Sequence, residues 1–268
     1  MEAISKILSG EKAISSSALK AAKKSTRDFI HYYNKPYEKK GYFDFGNACE
    51  LYLIDKDAFY AEVAVMDESK KPEPSKDYRT KVNADWKAKF YEVNADKYII
   101  PATGKDSFEV IQYLEVLAQK HPAYDLLIGK EYQQPFEWIC PRTGLKRYSR
   151  TDLYEDGIII DIKTDVDSDF TRTCVKNDYF FQAFDQMVGA VECGAMDEVK
   201  EYYWFVLGKE APYFVDVYKL DLDQILRVEE SYWSTLKRLR DDLDNADLDN
   251  IVWRDIPVQK VTVPNYYK

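Results

Sequence analysis

The segment KRYSRTDLYEDGIIIDIKTD, residues 146 to 165, has the pattern of a two-stranded β-hairpin. Four alternating residues predict its first strand: Tyr148, Arg150, Asp152 and Tyr154. The apolar run at residues 158 to 162 predicts a buried second strand. Asp156 and Gly157 lie between the two, and this dipeptide is typical of a type I′ hairpin turn. We expect the rest of the fold to be built around this hairpin.

The turn sets the register of the hairpin. With Asp156 and Gly157 at its centre, Asp152 is predicted to stand directly opposite Asp161 on the neighbouring strand. Side chains alternate along a strand, so Asp152, Asp161 and Lys163 are expected on one face. The apolar residues of the hairpin are expected on the other face, in a core: Leu153, Ile160 and Ile162.

Two carboxylates that face each other across a hairpin repel, and a protein that keeps them usually supplies a compensating cation. Oxygen ligands at this spacing suit Mg²⁺, with Mn²⁺ as a substitute. Lys163, two residues after Asp161, is placed to hold or deprotonate a water that the metal activates. A solvated hairpin face, with its charges simply in water, is equally compatible with the spacing.

These residues resemble a known family. Asp152, followed by Asp161-Ile162-Lys163, is similar to the Asp and (Asp/Glu)-x-Lys pattern of the PD-(D/E)xK nuclease superfamily. The sequence RTDLYEDGIIIDIKTD, with YFFQAFDQMVG after it, more narrowly resembles the RecE-type exonucleases (exonuclease VIII), which degrade one strand of duplex DNA. The resemblance extends from about Ser15 to Gly194. It implies catalytic roles for Asp152, Asp161 and Lys163, and a metal ligand in the Ile162 carbonyl.

The resemblance also draws attention to Glu50. Related nucleases carry a G-x-x-x-H signature whose histidine binds metal, and here Gly46 is followed four residues later by Glu50. A glutamate is a harder ligand than a histidine and suits Mg²⁺. Without the resemblance, an ordinary exposed helix glutamate would be the better interpretation.

Two glutamines follow the hairpin on a predicted helix, residues 179 to 193. Family members carry Q-x-x-x-Y here, with a glutamine that orients the catalytic groups or the DNA. Gln182 matches this pattern, whereas Gln186 replaces the tyrosine. The resemblance implies a catalytic role for Gln182 and a DNA contact for Gln186. Two solvated glutamines on an amphipathic helix are the alternative.

The basic charge of the chain is concentrated near its start. The formal net charge is -9, which argues against a general nucleic-acid coat protein. Residues 1 to 40, however, hold nine Lys and Arg against four Asp and Glu, a balance of +5. A helix over SSSALKAAKKSTRDFIHYY is predicted to present a DNA-binding face, with Arg150 as a further contact. Its four basic residues are Lys20, Lys23, Lys24 and Arg27. A solvated basic face is the alternative.

Other patterns predict the remaining elements. Strands are expected at residues 59 to 66, 132 to 140, 201 to 207 and 213 to 220, the last two in central or near-central sheet positions. Helices are expected at 76 to 94, 105 to 119 and 221 to 247. Gln133, Gln134 and Glu137, on the strand that flanks the hairpin, are candidates for positions near the metal site, but the sequence does not fix their register.

Composition predicts one large core, since 46% of the 268 residues are hydrophobic. No apolar run approaches the roughly 20 residues of a membrane span, and a cytoplasmic protein without membrane contact is expected. We predict a single α/β nuclease domain over residues 1–268, with a basic helical segment 1–40 and an extended tail 250–268. Its core is a central mixed β-sheet flanked by helices, as the resemblance to restriction-endonuclease-like PD-(D/E)xK proteins implies.

The function predicted from the sequence is Mg²⁺-dependent hydrolysis of DNA phosphodiester bonds. The resemblance implies a 5′-to-3′ exonuclease of double-stranded ends that serves recombination in a phage or prophage. It also implies a homo-oligomeric ring and a single-strand annealing protein as partner. An endonuclease with the same metal core, and a non-catalytic DNA-binding or assembly protein on a degenerate nuclease scaffold, remain alternatives.

Overall fold

The computed structural model describes residues 2–35, 41–73, 78–167 and 169–245. The α-helices of these ranges are Glu2–Leu8 (α1), Ser16–Lys24 (α2), Thr26–Asn34 (α3), Gly41–Ile54 (α4), Lys56–Glu62 (α5), Lys81–Val93 (α6), Phe108–Lys120 (α7), Phe170–Lys176 (α8), Tyr179–Glu192 (α9) and Leu222–Asp244 (α10). The strands are Ile14–Ser15 (β1), Val63–Met66 (β2), Tyr98–Pro101 (β3), Glu131–Tyr132 (β4), Pro135–Ile139 (β5), Lys146–Arg150 (β6), Leu153–Glu155 (β7), Ile158–Asp165 (β8), Glu201–Gly208 (β9) and Val215–Lys219 (β10).

The largest sheet is mixed and has the strand order β10-β9-β8-β7-β4. Strands β8 and β9 run parallel, and the other neighbours are antiparallel. A parallel pair needs a long crossover, which α8 and α9 provide. A second sheet has the order β1-β6-β5, and β2 pairs with β3. Helices flank the central mixed sheet, which confirms the predicted fold class.

Strand β8 separates two hydrophobic clusters. Ile159 packs with one cluster, which includes residues of α1, α2, α3, α8, α9 and α10. Ile160 and Ile162 pack with the other, which includes residues of α4 and α7. Neighbouring side chains of a strand point to opposite faces, so both faces of this strand are covered. The strand is therefore buried along most of its length and holds the residues on it rigidly.

The hairpin register is confirmed where β7 pairs with β8. Leu153 lies opposite Ile160, and Glu155 lies opposite Ile158. The turn residues Asp156 and Gly157 have φ values of 48° and 85°, as a type I′ turn requires.

The predicted first strand and the cross-strand pair of aspartates are wrong. The segment is divided at Thr151 and Asp152, because β6 pairs with β5 and β1 whereas β7 pairs with β8 and β4. The chain bends at this point to pass from one sheet to the other. Asp152 therefore lies outside the β7–β8 ladder, and its side chain accepts a hydrogen bond from the Ile162 backbone N–H at 2.6 Å instead of facing Asp161 across it.

The predicted basic helix is in fact two helices. Ser25 separates α2 from α3, with extended backbone angles of φ -167° and ψ 158°. Its hydroxyl oxygen accepts the backbone N–H of Asp28 at 3.0 Å, which caps the N-terminus of α3. The sequence contains this capping signal, but the helical periodicity on both sides of it predicted a continuous helix.

Three other predicted strands differ from the structure. Residues 56 to 62 form α5 because Asp55 caps a helix there, so only the second half of the predicted strand is extended. The segment 132 to 140 is interrupted at Gln133, whose φ is 46°. Strand β10 is at the edge of its sheet rather than near the centre. The predicted tail, residues 250–268, lies outside the described residues.

Among the helices that the structure describes, none combines the length and the apolar character that crossing a membrane requires.

We predict that Gly189→Ala destabilises the protein by about 1 to 3 kcal/mol, because helix α9 packs closely on the β5–β6 sheet. A Cβ at this position would lie 2.7 Å from a Trp138 ring carbon and 2.8 Å from the Ser149 hydroxyl. Urea denaturation measures the effect. Gly46→Ala is the matched control, since its Cβ would meet only Thr164 Oγ1 at 3.6 Å. This variant should gain up to about 1 kcal/mol from helix propensity. Equal stability changes in both variants would contradict the prediction.

Candidate active site

The predicted site residues come from separate elements that meet at one end of β7 and β8. Glu50 is on α4, Asp152 immediately precedes β7, Asp161 and Lys163 are on β8, and Gln182 and Gln186 are on α9. Hydrogen bonds, an ion pair and electrostatic interactions connect all six.

Asp152 is buried, with 9% of its surface exposed. One of its carboxylate oxygens accepts the Ile162 N–H at 2.6 Å, and its backbone carbonyl accepts the Gln133 N–H at 2.9 Å. Burial, together with the negative charges of Glu50 and Asp161, raises the pKa of Asp152 well above its ordinary value. The Ile162 hydrogen bond acts against this shift but does not cancel it.

Glu50 is buried as well, at 7% exposure, so it is not an exposed helix glutamate. The Gln133 side chain donates from Nε2 to Glu50 Oε1 at 2.8 Å. Burial raises the pKa of Glu50, and the charge of Asp161 adds to this effect, whereas the Gln133 hydrogen bond and the charges of Arg150 and Lys163 lower it. Glu50 and Asp152 thus form part of one cluster of carboxylates.

Asp161 is the most buried of the three acids, at 1% exposure, and its carboxylate forms an ion pair with Lys163. Burial alone would disfavour the Lys163 ammonium, but Asp161 and Asp152 raise the pKa of Lys163 above its usual value. The ammonium also lies 5.2 Å from the centre of the Tyr179 ring. Lys163 is therefore held as a cation beside the carboxylates.

The two glutamines direct their amide groups at Asp161. Gln182 Nε2 lies 3.4 Å from Asp161 Oδ1, and Gln186 Nε2 lies 3.5 Å from the same oxygen. Gln186 also donates to the Arg150 carbonyl at 2.8 Å and accepts the Tyr202 hydroxyl at 2.5 Å. Gln186 is 1% exposed, so the solvated alternative is wrong for this residue.

The donor set suits a small divalent cation better than a softer metal. Glu50, Asp152 and Asp161 all offer carboxylate oxygens, and among the residues that the structure describes only Lys163 forms an ion pair with one of them. Within the described residues, no three His, Cys, Asp or Glu side chains form a preassembled metal cage. Mg²⁺ usually binds through one or two carboxylates and retains several waters, so the residues present fit this ion.

The basic residues of α2 and α3 do not form one solvent-facing surface. Lys20 donates to Gln182 Oε1 at 2.8 Å and to the Asn177 carbonyl at 3.1 Å, and its ammonium lies 5.3 Å from the Tyr179 ring centre. Lys23 forms an ion pair with Asp178 at 2.5 Å. The other basic residues of the predicted set are exposed: Lys24, Arg27 and Arg150.

Lys20 therefore belongs to the same cluster of side chains. Its ammonium lies 5.3 Å from the centre of the Tyr179 ring, and the Lys163 ammonium lies 5.2 Å from the same centre. Burial, and then the charge of Lys163, lowers the pKa of Lys20 to about 8. The sequence placed Lys20 on a basic face and gave no sign that this face packs against α9.

Gln133 is the site residue that the sequence did not assign. It contacts Glu50 and Asp152, and its Oε1 accepts Arg150 Nη1 at 3.4 Å. Glu137, named beside it, instead pairs with Lys146 at 3.0 Å across the β5–β6 pair. The sequence could not show that Gln133 lies in the site and Glu137 outside it, because their placement depends on the interruption of the strand at Gln133.

We predict that Lys20→Met stabilises the protein at pH 7 by about 1 to 3 kcal/mol, since one pKa unit corresponds to about 1.4 kcal/mol. The folded protein lowers the pKa of this lysine, so the lysine destabilises the folded state at any pH where it is charged in both the folded and the unfolded chain. This penalty is complete below pH 8 and disappears as the pH rises from about 8 towards 10.5. Thermal denaturation of both proteins at pH 7 and at high pH tests this. A stability difference that does not change with pH would contradict it.

Comparison with known proteins gives a structural similarity alone. No protein-family model matches the chain, and no curated protein sequence matches it. The crystal structure of a protein from Eubacterium rectale, described as a candidate exonuclease, superposes with a TM-score of 0.57 at 10% sequence identity. The match covers 97% of this chain and 93% of that one. An alkaline exonuclease from Laribacter hongkongensis aligns with a TM-score of only 0.29 and 13% identity, over 70% of this chain and 94% of that one. The chain therefore shares its overall fold with the first of these proteins.

Proposed function

We propose that the protein is a metal-dependent deoxyribonuclease that hydrolyses phosphodiester bonds. The observation that carries this proposal is the cluster of three buried carboxylates beside a paired lysine: Glu50, Asp152, Asp161 and Lys163. Such a cluster is electrostatically unfavourable in the empty protein, and binding of a divalent cation would relieve the repulsion. Asp152, Asp161 and Lys163 also resemble the PD-(D/E)xK pattern, whereas Glu50 stands where related nucleases carry a histidine.

The residues of the site have distinct roles in this proposal. Glu50, Asp152, Asp161 and the Ile162 carbonyl would hold Mg²⁺, or Mn²⁺ in its place. When bound, the cation supplies Lewis-acid activation of the phosphate and of the attacking water. Lys163 remains an ammonium and stabilises negative charge that develops on the phosphate. Gln182, held between Lys20 and Asp161, orients the Asp161 carboxylate.

The site also offers contacts for the DNA backbone. The Lys20 ammonium donates hydrogen bonds to two uncharged oxygens, the Asn177 carbonyl and Gln182 Oε1. Its third N–H could donate to a phosphate. Lys24, Arg27 and Arg150 are exposed and add positive charge around it. Gln186 is buried, so it would influence DNA binding indirectly, through the hydrogen bond that its amide donates to the Arg150 carbonyl. Phosphate neutralisation by these residues would be local, which is compatible with the acidic net charge.

The finer part of the proposal is a 5′-to-3′ exonuclease that acts on double-stranded ends during recombination. It is supported by the resemblance to RecE-type enzymes and by the overall fold shared with the candidate exonuclease. By the same resemblance, the enzyme works as a homo-oligomeric ring with a single-strand annealing protein.

Two variants separate catalysis from metal binding. Lys163→Met should lower cleavage of linear duplex DNA in Mg²⁺ by about 10²- to 10³-fold, because charge stabilisation in the transition state is lost, while Mg²⁺ binding is retained. Asp161→Asn should weaken Mg²⁺ binding as well as cleavage. Cleavage is measured on end-labelled DNA and Mg²⁺ binding by calorimetry.

Lys146→Met is the matched control, since this strand lysine pairs with Glu137 outside the site. Its cleavage rate should equal that of the wild type. A wild-type protein that binds DNA but cleaves none in Mg²⁺ or Mn²⁺ would favour the non-catalytic binding protein instead.

We expect linear duplex DNA to be degraded progressively from its ends, while covalently closed circles of the same sequence survive equal amounts of enzyme and Mg²⁺. Gel electrophoresis of both substrates in one reaction is the measurement. Substrates labelled at the 5′ or the 3′ end then give the polarity. Nicking or linearisation of the circles would assign the protein to the endonucleases.

A further inference from the structure

We propose that Gln133 is a positioning residue that fixes the orientation of the Glu50 carboxylate for binding of a divalent cation. This inference rests on the proposed function, because it concerns the same metal site. It assigns a role to a residue between β4 and β5 that no motif of the sequence identifies.

The backbone of Gln133 is unusual. Among the described residues other than glycine, four have a positive φ, and the other three are aspartates: Asp106, Asp156 and Asp178. Aspartate tolerates this region comparatively well, whereas a longer side chain is disfavoured there and glycine is preferred. Gln133 is thus the one member of this group whose residue type does not suit its backbone. Its side chain is expected to compensate through the contacts that it makes.

The backbone also attaches Gln133 to the site. Its N–H donates to the Asp152 carbonyl at 2.9 Å, immediately before β7 begins. This bond connects the interruption between β4 and β5 with the bend between β6 and β7. The Cα of Gln133 is therefore fixed relative to Asp152, and its side chain starts from a defined point.

The amide group has only one compatible orientation. Nε2 donates to Glu50 Oε1 at 2.8 Å, and Oε1 accepts from Arg150 Nη1 at 3.4 Å. An ionised carboxylate only accepts hydrogen bonds, and a guanidinium only donates them. A rotated amide would place oxygen against carboxylate and N–H against guanidinium, so neither contact would survive. Arg150 thus selects the amide orientation that serves Glu50.

The effect on Glu50 follows from its place on α4. A glutamate side chain has several rotatable bonds, and this carboxylate is buried near the charges of Asp152 and Asp161. Repulsion from these charges would favour rotamers that turn Glu50 away from them. The Gln133 hydrogen bond holds one oxygen in place, which keeps the carboxylate in the cluster. Partners of this type commonly change metal affinity by about 10- to 100-fold.

The test is the Gln133→Gly variant, because glycine accepts the positive φ and removes the side chain together with its amide group. Calorimetric titration without DNA should show Mg²⁺ binding weakened by about 10- to 100-fold relative to the wild type. The unfolding temperature without metal should be equal or higher. Two matched controls are expected to bind Mg²⁺ like the wild type. Asp156→Gly introduces a glycine at another position with a positive φ. Gln134→Ala removes the side chain of the neighbouring glutamine.

A double-mutant cycle separates positioning from a general structural role. In a Glu50→Gln background, removal of the Gln133 amide should have no further effect on Mg²⁺ affinity, because the carboxylate that it positions is absent. Independent, additive losses would overturn the inference, as would unchanged Mg²⁺ affinity in Gln133→Gly. If the wild type itself neither binds Mg²⁺ nor cleaves DNA, the proposed function fails and the inference fails with it.

Discussion

The burial of three carboxylates beside a single paired lysine is the constraint on which the site depends. Glu50, Asp152 and Asp161 are each less than a tenth exposed, and Lys163 forms an ion pair with Asp161. Burial raises the pKa of Asp152 and Glu50, and neighbouring negative charges add to this rise. A folded chain would be more stable without this arrangement. Under the proposed function, binding of a cation would recover this stability.

The fold holds these charges by means of two sheets that diverge at Thr151. Strand β6 stays with β5 and β1, and β7 joins the mixed sheet, so Asp152 lies at the bend between them. The bend frees its carboxylate to accept the Ile162 N–H at 2.6 Å. An uninterrupted hairpin would have placed Asp152 in the ladder opposite Asp161, where the two charges would repel without this hydrogen bond. The interruption of the strand is therefore part of the site.

Helix α9 is fixed by a buried polar network at Asp185, which lies between Gln182 and Gln186 in the sequence. Asp185 forms an ion pair with Arg147 at 2.6 Å, and both side chains are fully buried. The same carboxylate accepts the Tyr232 hydroxyl at 2.7 Å and the Ser16 hydroxyl at 2.6 Å. A buried ion pair is costly to break, because the remaining charge is left without a partner. The network therefore holds α9 against β6, α10 and the start of α2.

The same network explains the position of the basic segment. Ser16 begins α2, and its contact with Asp185 directs that helix along α9, where Lys20 reaches Gln182. Lys23 is paired with Asp178 on the same side. Helix α2 thus packs along α9 and brings Lys20 to the candidate site, instead of standing apart from it. Charge counting could not distinguish these two arrangements, because both have the same composition.

The sequence by itself determined the features that depend on local patterns. The Asp156-Gly157 turn fixed the β7–β8 register, because a type I′ turn leaves little freedom in pairing. Alternation placed Ile160 and Ile162 in a core, and the motif identified Asp161 and Lys163, which are neighbours on one strand. The mixed sheet and its flanking helices also followed from strand and helix patterns together with the resemblance. Within the described residues, these elements form where the local conformational preference of the sequence agrees with the burial of its apolar residues.

Only the tertiary structure decided the features that depend on contacts between distant segments. The bend at Asp152 and the edge position of β10 depend on how the strands are distributed between the sheets. The division of the basic helix at Ser25 results from a cap within a helical pattern. The burial of Glu50 and its bond to Gln133 join residues 83 positions apart. No local pattern reports such a separation, because the energy that fixes these contacts comes from desolvation and packing in the folded chain.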